Sequence, residues 1–235
     1  MFTQLARNLK DNVECSVRIP KPIACPNVWN VATGVKMLDA VFSAINPLIE
    51  CGRLFSLIFS LDEKTIRSQK RLDYIVGAAS VAGRNRIDTH IEFRHKSWHT
   101  QSVLQVLKDH NIGICNVEIP ANSAFPLKSY ATSNKGYLRY CGRMQNVGTE
   151  ANDCFDYDYT TSDIETMVRA QLDLGRKVDT SAVVYGNVAR AQAVANAVQN
   201  LLLLNHEVEV EKMRRNATHG RYQGKKLGAK GIKIN

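Results

Sequence analysis

The chain has 235 residues, of which 44% are hydrophobic and 23% are charged, a composition typical of a globular protein with a sizeable core. No apolar run reaches the roughly 18 residues of a membrane span, and residues 1–7 lack the apolar core of a signal peptide, so we expect a cytoplasmic protein with no membrane partner. The six cysteines contain no Cys-x-x-Cys pair, which favours reduced thiols and argues against a zinc knuckle.

The net charge of +9 is concentrated at the end of the chain. The segment from Lys212 to Asn235 has eight lysines and arginines and no acid, which leaves 23 of the 31 basic residues against all 22 acidic ones. Because the segment also has four glycines and no apolar periodicity, we expect residues 205–235 to form a basic, disordered tail. Such a tail is either a solvated region that prevents aggregation or a weak, salt-sensitive contact for nucleic acid. The candidate nucleic-acid-binding residues are Arg214, Arg215, Lys225 and Lys226.

Hydrophobic periodicity divides residues 1–204 into strands that alternate with helices. Strands are predicted at residues 12–20, within 89–98, and at 54–59, 114–119, 136–143 and 181–187. Helices are predicted over residues 33–45, 65–79, from Ser97 to before Gly113, from residue 162 onward and over 193–202. Thr33 and Ser97 are the predicted N-caps of the first and third of these helices, and Pro47 is expected to kink the first helix or end it early. This alternation predicts one domain over residues 1–204 with about six parallel strands and right-handed crossovers.

The strand that begins at Thr89 carries two opposite charges on one face. Ile91 and Phe93 alternate with Glu92 and Arg94, so the apolar pair is expected to face the covering helices and the charged pair the inner side of the sheet. A buried ion pair of this kind is either structural or part of a site. The residues that follow the strand favour a site, because strand ends carry the functional groups of alternating strand and helix folds.

Glu92 and two of the residues that follow the strand are candidates for specific roles. We assign Glu92 and His95 as candidate catalytic residues, since an imidazole titrates near neutral pH, although His95 can equally serve only to hydrogen-bond its loop. Trp98 is a candidate ligand-binding residue at the rim of the site. His95 and His99 have helical spacing but no third ligand, so neither a metal nor another cofactor is predicted.

The segment Glu92-Phe93-Arg94-His95-Lys96-Ser97-Trp98 resembles the E-F-R-H-x-S-W signature of the domain of unknown function 72 (DUF72, YecE-like) family. Residues 17–21 resemble its F-S-V-K-x-P strand, residues 137–143 its Y-x-R-x-H-G-R strand, residues 157–159 its tyrosine-bearing turn and residues 185–187 its F-N-N strand. The resemblance spans about residues 1–204. It implies a TIM-barrel-like fold and no settled biochemical activity, which leaves open whether the protein is an enzyme.

The sequence also departs from this family pattern. The usual first two strands, G-T-S-G-W and V-E-x-N, are absent, so the resemblance implies an incomplete TIM-barrel-like fold in a truncated or divergent member. Arg18 stands where lysine is usual, and Leu57, Cys141 and Gly186 replace polar residues. A six-stranded sheet is expected to remain open, because closure would crowd charged side chains into a narrow lumen, and its open edges invite oligomerisation.

The aligned motifs place several polar residues at the mouth of the expected barrel. Their excess of arginines indicates a small anionic or phosphorylated ligand, although a fully satisfied structural network is the alternative. Residues 139, 141 and 143 are expected on one face of their strand. The candidate ligand-binding residues are Arg18, Arg94, Trp98, Arg139, Arg143, Tyr185 and Asn187. Two functions remain open: an enzyme or binding protein for that ligand, or a non-catalytic scaffold that contacts nucleic acid through the tail.

Overall fold

A computed structural model of the chain describes residues 2–11, 13–119, 129–143, 156–187 and 191–227, with side chains up to Met213. The strands are β1 (Cys15–Arg18), β2 (Leu54–Ser60), β3 (Thr89–Glu92), β4 (Gly113–Glu118), β5 (Lys135–Tyr140) and β6 (Thr180–Tyr185). The helices are α1 (Phe2–Asn8), α2 (Lys21–Ala24), α3 (Val31–Glu50), α4 (Gln69–Arg84), a short 3-10 helix (Lys96–Trp98), α5 (Gln101–Asp109), α6 (Thr161–Gly175) and α7 (Gln192–Leu227).

The six strands form one parallel sheet in which spatial order follows chain order from β1 to β6. The sheet curls into part of a barrel with helices on its outer side, which confirms the prediction of an incomplete TIM-barrel-like fold. Among the described strands, β1 and β6 each pair on one side only, so the expectation of an open sheet is also confirmed. Oligomerisation through these edges stays a prediction.

Side chains alternate between two cores on the two faces of the sheet. Ile91 and Phe93 pack against the helices in the outer core, as the alternation in the sequence predicts, and Leu57 and Phe59 of β2 pack in the same core. The inner core contains buried side chains from the sheet strands or from the residues directly after them and none from a helix. Its members are Phe55, Ile58, Cys115, Val117, Ile119, Tyr137 and Cys141. The inner face of the curled sheet is therefore partly apolar.

Three predicted helix starts differ from the structure by a few residues. Asn30 caps α3 by accepting from the Thr33 amide, and Thr160 forms a capping box with Asp163 at α6. Thr100, not Ser97, caps α5, because the short 3-10 helix occupies residues 96–98. Pro47 lies inside the last turn of α3, which continues to Glu50. Each difference arises where several adjacent residues are able to cap a helix.

The predicted tail requires a larger correction. The backbone of α7 is helical through Leu227, whereas the sequence predicts disorder from residue 205. Residues 205–215 contain no glycine or proline, so nothing in the local sequence ends the helix that begins at Gln192. The side chain of Arg176, after α6, also donates to Glu211 on α7, which ties this segment to the domain. Residues 228–235 lie outside the described residues.

Gly113, the first residue of β4, is required by close packing against His90. A Cβ atom at Gly113 would lie 2.3 Å from Cδ2 and 2.4 Å from Nε2 of the His90 ring. That ring cannot move aside easily, because it is fully buried and hydrogen-bonded on both sides, 2.7 Å from the Ser56 hydroxyl and 3.0 Å from the Lys135 carbonyl.

We therefore expect Gly113→Ala to lower the free energy of unfolding by about 1–3 kcal/mol, as overpacking of a filled interior does. Gly83→Ala is the matched control, because nothing lies within 4 Å of its added Cβ and alanine favours the helix, so it should stabilise by up to about 1 kcal/mol. Urea unfolding of both variants measures the difference. Equal effects at the two glycines would show that β4 shifts freely past His90.

Candidate functional site

Glu92, the last residue of β3, is the centre of a polar cluster on the inner face of the sheet. Its side chain is fully buried, and each carboxylate oxygen accepts from a different arginine. Oε1 accepts from Nε of Arg94 at 2.7 Å and from the Ser60 hydroxyl at 2.8 Å, and Nη2 of Arg94 lies 2.7 Å from the same oxygen. Oε2 accepts from Nη1 of Arg139 at 2.6 Å. The structure thus brings together Glu92, Arg94 and Arg139, as the sequence predicts.

The Glu92 carboxylate is held in its charged form. Burial alone would raise its pKa, but the charges of Arg139 and Arg94 and the hydrogen bonds from Arg139 and Ser60 outweigh burial and lower it. A carboxylate with a depressed pKa and hydrogen bonds from three side chains is a weak base. Its geometry suits the orientation of two guanidinium groups better than proton transfer.

Arg18, at the end of β1, adds a second excess positive charge to this cluster. Burial and the positive charge of Arg139 lower the pKa of Arg18, and the charges of Glu92 and Arg94 also act on it. Among the residues that the structure describes, no carboxylate lies within 4 Å of the Arg18 guanidinium, and its side chain is exposed. Among the described residues, the cluster therefore has three arginines and one carboxylate, which leaves a surplus of two positive charges.

Cys141 and Gly186 form the wall beside Arg139. A Cβ atom at Gly186 would lie 3.1 Å from the Cys141 sulfur and 3.8 Å from Nε of Arg139, so a side chain at this position would contact both residues. Cys141 is fully buried, and burial raises the pKa of its thiol although the nearby Arg139 opposes this shift. Two departures from the family pattern thus lie at the cluster, whereas Leu57 lies in the outer core.

Arg143 belongs to a different cluster, which corrects the expectation that it shares a face with Arg139. Its Nε and Nη2 atoms donate to the two oxygens of Glu118, each at 3.1 Å, and its Nη1 donates to Asp163. The chain turns at Gly142, which has a φ of 102°, and this turn carries Arg143 away from the inner face. Arg143 is neutralised by two carboxylates and so contributes no surplus charge.

Trp98 and His95 also lie apart from the cluster. Trp98 is fully buried in the outer core, where it stacks on Phe93 at 4.7 Å and donates to the Thr65 carbonyl at 2.7 Å, so it is not a rim residue. His95 Nδ1 accepts from the Ser97 amide at 3.2 Å and lies 2.8 Å from the Ser97 hydroxyl. His95 therefore stabilises its loop, which is the alternative left open by the sequence.

Tyr185 and Asn187, at the end of β6, point to the helical side of the sheet. Tyr185 packs among tyrosines of the outer layer, with its ring centroid 5.3 Å from that of Tyr140. Asn187 is fully buried and donates to the Tyr157 carbonyl at 2.8 Å and to Oδ1 of Asn196 on α7 at 2.7 Å. Both residues were predicted to bind ligand, but alternation along β6 puts Gly186 between them on the inner face.

The sequence interpretation missed two polar residues of the inner face, Ser60 and His90. Ser60 is the last residue of β2 and pairs with Glu92 across the sheet. His90 lies two residues before Glu92, and burial lowers its pKa to about 4, so the ring is neutral at physiological pH. The spacing of two residues between His90 and Glu92 could have identified His90 from the sequence, because side chains at that spacing share a face of a strand.

The last three predictions concern nucleic acid, metal ions and membranes. The side chains of Arg214, Arg215, Lys225 and Lys226 lie outside the described residues, so nucleic-acid binding stays a prediction. Within the described part of the chain, no group of three or more His, Cys, Asp or Glu residues is placed to hold a metal ion. The described helices include none with the length and apolar character needed to cross a membrane.

Comparisons with known proteins agree with the fold. The sequence model of a family described as protein of unknown function DUF72 matches residues 1–219. The crystal structure of a DUF72 family protein from Thermotoga maritima is 24% identical with a TM-score of 0.77, and the match covers 87% of this chain and 78% of that one. Two crystal structures of a DUF72 family protein from Enterococcus faecalis also match, each over 87% of this chain. One is 21% identical in sequence with a TM-score of 0.76 and is covered over 78% of its length. The other is 22% identical with a TM-score of 0.73 and is covered over 83% of its length. No curated protein matches the sequence.

Proposed function

Because the chain belongs to the DUF72 family of proteins of unknown function, we propose a function from its own geometry: it binds a small anionic or phosphorylated ligand at the carboxyl ends of its strands. The observation that carries the proposal is the Glu92 cluster, in which one buried carboxylate orients two arginines beside a third. Guanidinium groups fixed in this way are suited to carboxylate or phosphate recognition.

A purely structural ion-pair network explains the cluster less well. A structural network in the interior is expected to balance its charges, since an unpaired buried charge costs several kcal/mol. Here Arg94 and Arg139 share Glu92, and their side chains remain 21% and 19% exposed, so solvent reaches both guanidinium groups. The Glu118–Arg143–Asp163 cluster of the same protein is the contrast, because its two carboxylates more than balance its one arginine.

The proposal is for binding, with Glu92 as a positioning residue rather than an acid or base. Proton transfer to Glu92 would break its contacts with Arg94, Arg139 and Ser60. Its lowered pKa also keeps it ionised near neutral pH. Glu92 instead fixes both guanidinium groups before a ligand arrives, which reduces the entropy cost of binding.

Isothermal titration calorimetry with inorganic phosphate and with a panel of phosphorylated and carboxylated metabolites tests this proposal. We expect Arg139→Gln to weaken binding by about tenfold to a hundredfold, since a hydrogen bond between charged groups contributes about 1.5–3 kcal/mol. Arg169→Gln is the matched control, because it removes the same charge from an exposed position on α6. Equal affinity of the two variants, with both folded by circular dichroism, would contradict the proposal.

A further inference from the structure

We propose that the group bound at the Glu92 cluster is the dianion of a phosphate monoester, and that Arg18 selects its second negative charge. This inference rests on the proposed function and makes it more specific. Among the described residues, the charged groups of the cluster are Arg18, Arg94, Arg139 and Glu92, whose charges sum to +2. A phosphate monoester carries close to two negative charges at pH 7, whereas a carboxylate or a phosphate diester carries one.

The guanidinium of Arg139 has an open edge for this ligand. The Nη1 atom of Arg139 donates a hydrogen bond to Glu92. Among the described residues, no atom accepts a hydrogen bond from Nε or Nη2 of Arg139. These two atoms form one side of the planar group, the side that binds two oxygens of a phosphate at once. Arg94, in contrast, uses its Nε and Nη2 atoms on Glu92.

Gly186 keeps that edge of Arg139 accessible. A side chain at this position would begin 3.8 Å from Nε of Arg139 and would extend into the space beside the guanidinium. The Cys141 sulfur would lie 3.1 Å from a Cβ atom at Gly186, and the thiol is neutral because burial raises its pKa. The Cys141 thiol therefore adds no negative charge beside Arg139 that would repel phosphate oxygens.

Arg18 supplies the charge that distinguishes a dianion from a monoanion. Arg94 and Arg139 together with Glu92 sum to +1, which a monoanion already balances. Arg18 is the remaining cation of the cluster in the described part of the chain. It ends β1 opposite Ile58 of β2, whose side chain lies in the inner core, and the charges of Arg139 and Glu92 act on it. Because Arg18 makes no ion pair with a described carboxylate, its replacement should not disturb the contacts of Glu92.

Titration with methyl phosphate and with sulfate between pH 5 and pH 7.5 tests this inference. Methyl phosphate gains its second charge near pH 6, so we expect its affinity for the wild-type protein to rise about tenfold over this range. Sulfate is a dianion throughout, and Glu92 remains ionised because its pKa is lowered, so sulfate affinity should stay constant.

The variant Arg18→Gln should bind methyl phosphate at pH 7.5 about as weakly as the wild-type protein does at pH 5, with no further dependence on pH. Arg169→Gln is again the control and should retain the full rise. A constant affinity of the wild-type protein for methyl phosphate would overturn the dianion assignment while leaving anion binding intact. A full rise in the Arg18→Gln variant would overturn the role of Arg18. Absence of binding by both probes would overturn the proposed function itself, and this inference with it.

Discussion

Replacement of Glu92 by glutamine is expected to lower the free energy of unfolding by about 3–5 kcal/mol at neutral pH. The substitution keeps the shape of the side chain but removes the one negative charge between Arg94, Arg139 and Arg18. Three guanidinium groups would then repel one another in a partly buried site. Urea unfolding at pH 7 measures the loss, with Glu165→Gln, an exposed position on α6, as the control that should change stability little.

The pH dependence of the same comparison separates charge from packing. The pKa of Glu92 is lowered in the folded protein, so the stabilisation from its ionised form is fully present above the unfolded value of about 4.3 and disappears as the pH falls through the folded value. The difference between wild type and Glu92→Gln should therefore shrink below about pH 4. A difference that remains constant from pH 7 to pH 3 would indicate a packing defect and would contradict the ion-pair interpretation.

The architecture follows largely from the sequence because one kind of signal repeats along the chain. Alternation of Ile91 and Phe93 with Glu92 and Arg94 specifies which face of β3 meets the helices. The parallel order of β1 to β6 then follows from the helices between the strands, since crossovers of this kind place sequential strands side by side. The extent of α7 does not follow, because glycine content and charge suggest disorder while the backbone continues as a helix.

The sequence predicts the positions of the site residues correctly only within the regular strands and shortly after them. Glu92 and Arg139 lie inside regular strands, so the period of two places them correctly, and Arg94 reaches the same side two residues beyond Glu92. Beyond the strand ends the period fails. Gly142 turns the chain before Arg143, and the 3-10 helix from Lys96 turns Trp98 into the outer core. Dihedral angles of single residues decide these turns, and a pattern of hydrophobicity does not record them.

The family signature around β3 therefore combines two different roles in seven residues. Glu92 and Arg94 face the inner side of the sheet, where they form the charged cluster. Phe93 and Trp98 stack on each other in the outer core, and Ser97 accepts from the Arg67 amide at 2.7 Å. The second set fixes the loop after β3, and this loop carries Arg94 over Glu92. Substitutions in the two sets should consequently separate ligand binding from stability.

Trp98→Ala is the sharpest test of that separation, because we expect it to lower the free energy of unfolding by about 3–5 kcal/mol. The substitution empties a fully buried position, removes the stacking on Phe93 and leaves the Thr65 carbonyl without its indole donor. Trp98→Phe retains most of the apolar volume and loses the hydrogen bond, so a smaller loss of about 1–3 kcal/mol is expected.

Trp29→Phe is the matched control, because Trp29 is only half-buried, packs edge-on to Tyr74 and lies under Arg71, and we expect its loss to be the smaller one. Thermal and urea unfolding measure all three variants, and calorimetry with inorganic phosphate measures binding by those that remain folded. Since Trp98 lies on the helical side of the sheet, Trp98→Phe should bind the anion with wild-type affinity. If Trp98→Phe instead weakened binding as much as Arg139→Gln does, the indole would contribute to the site after all, and the loop after β3 would have to position ligand as well as Arg94.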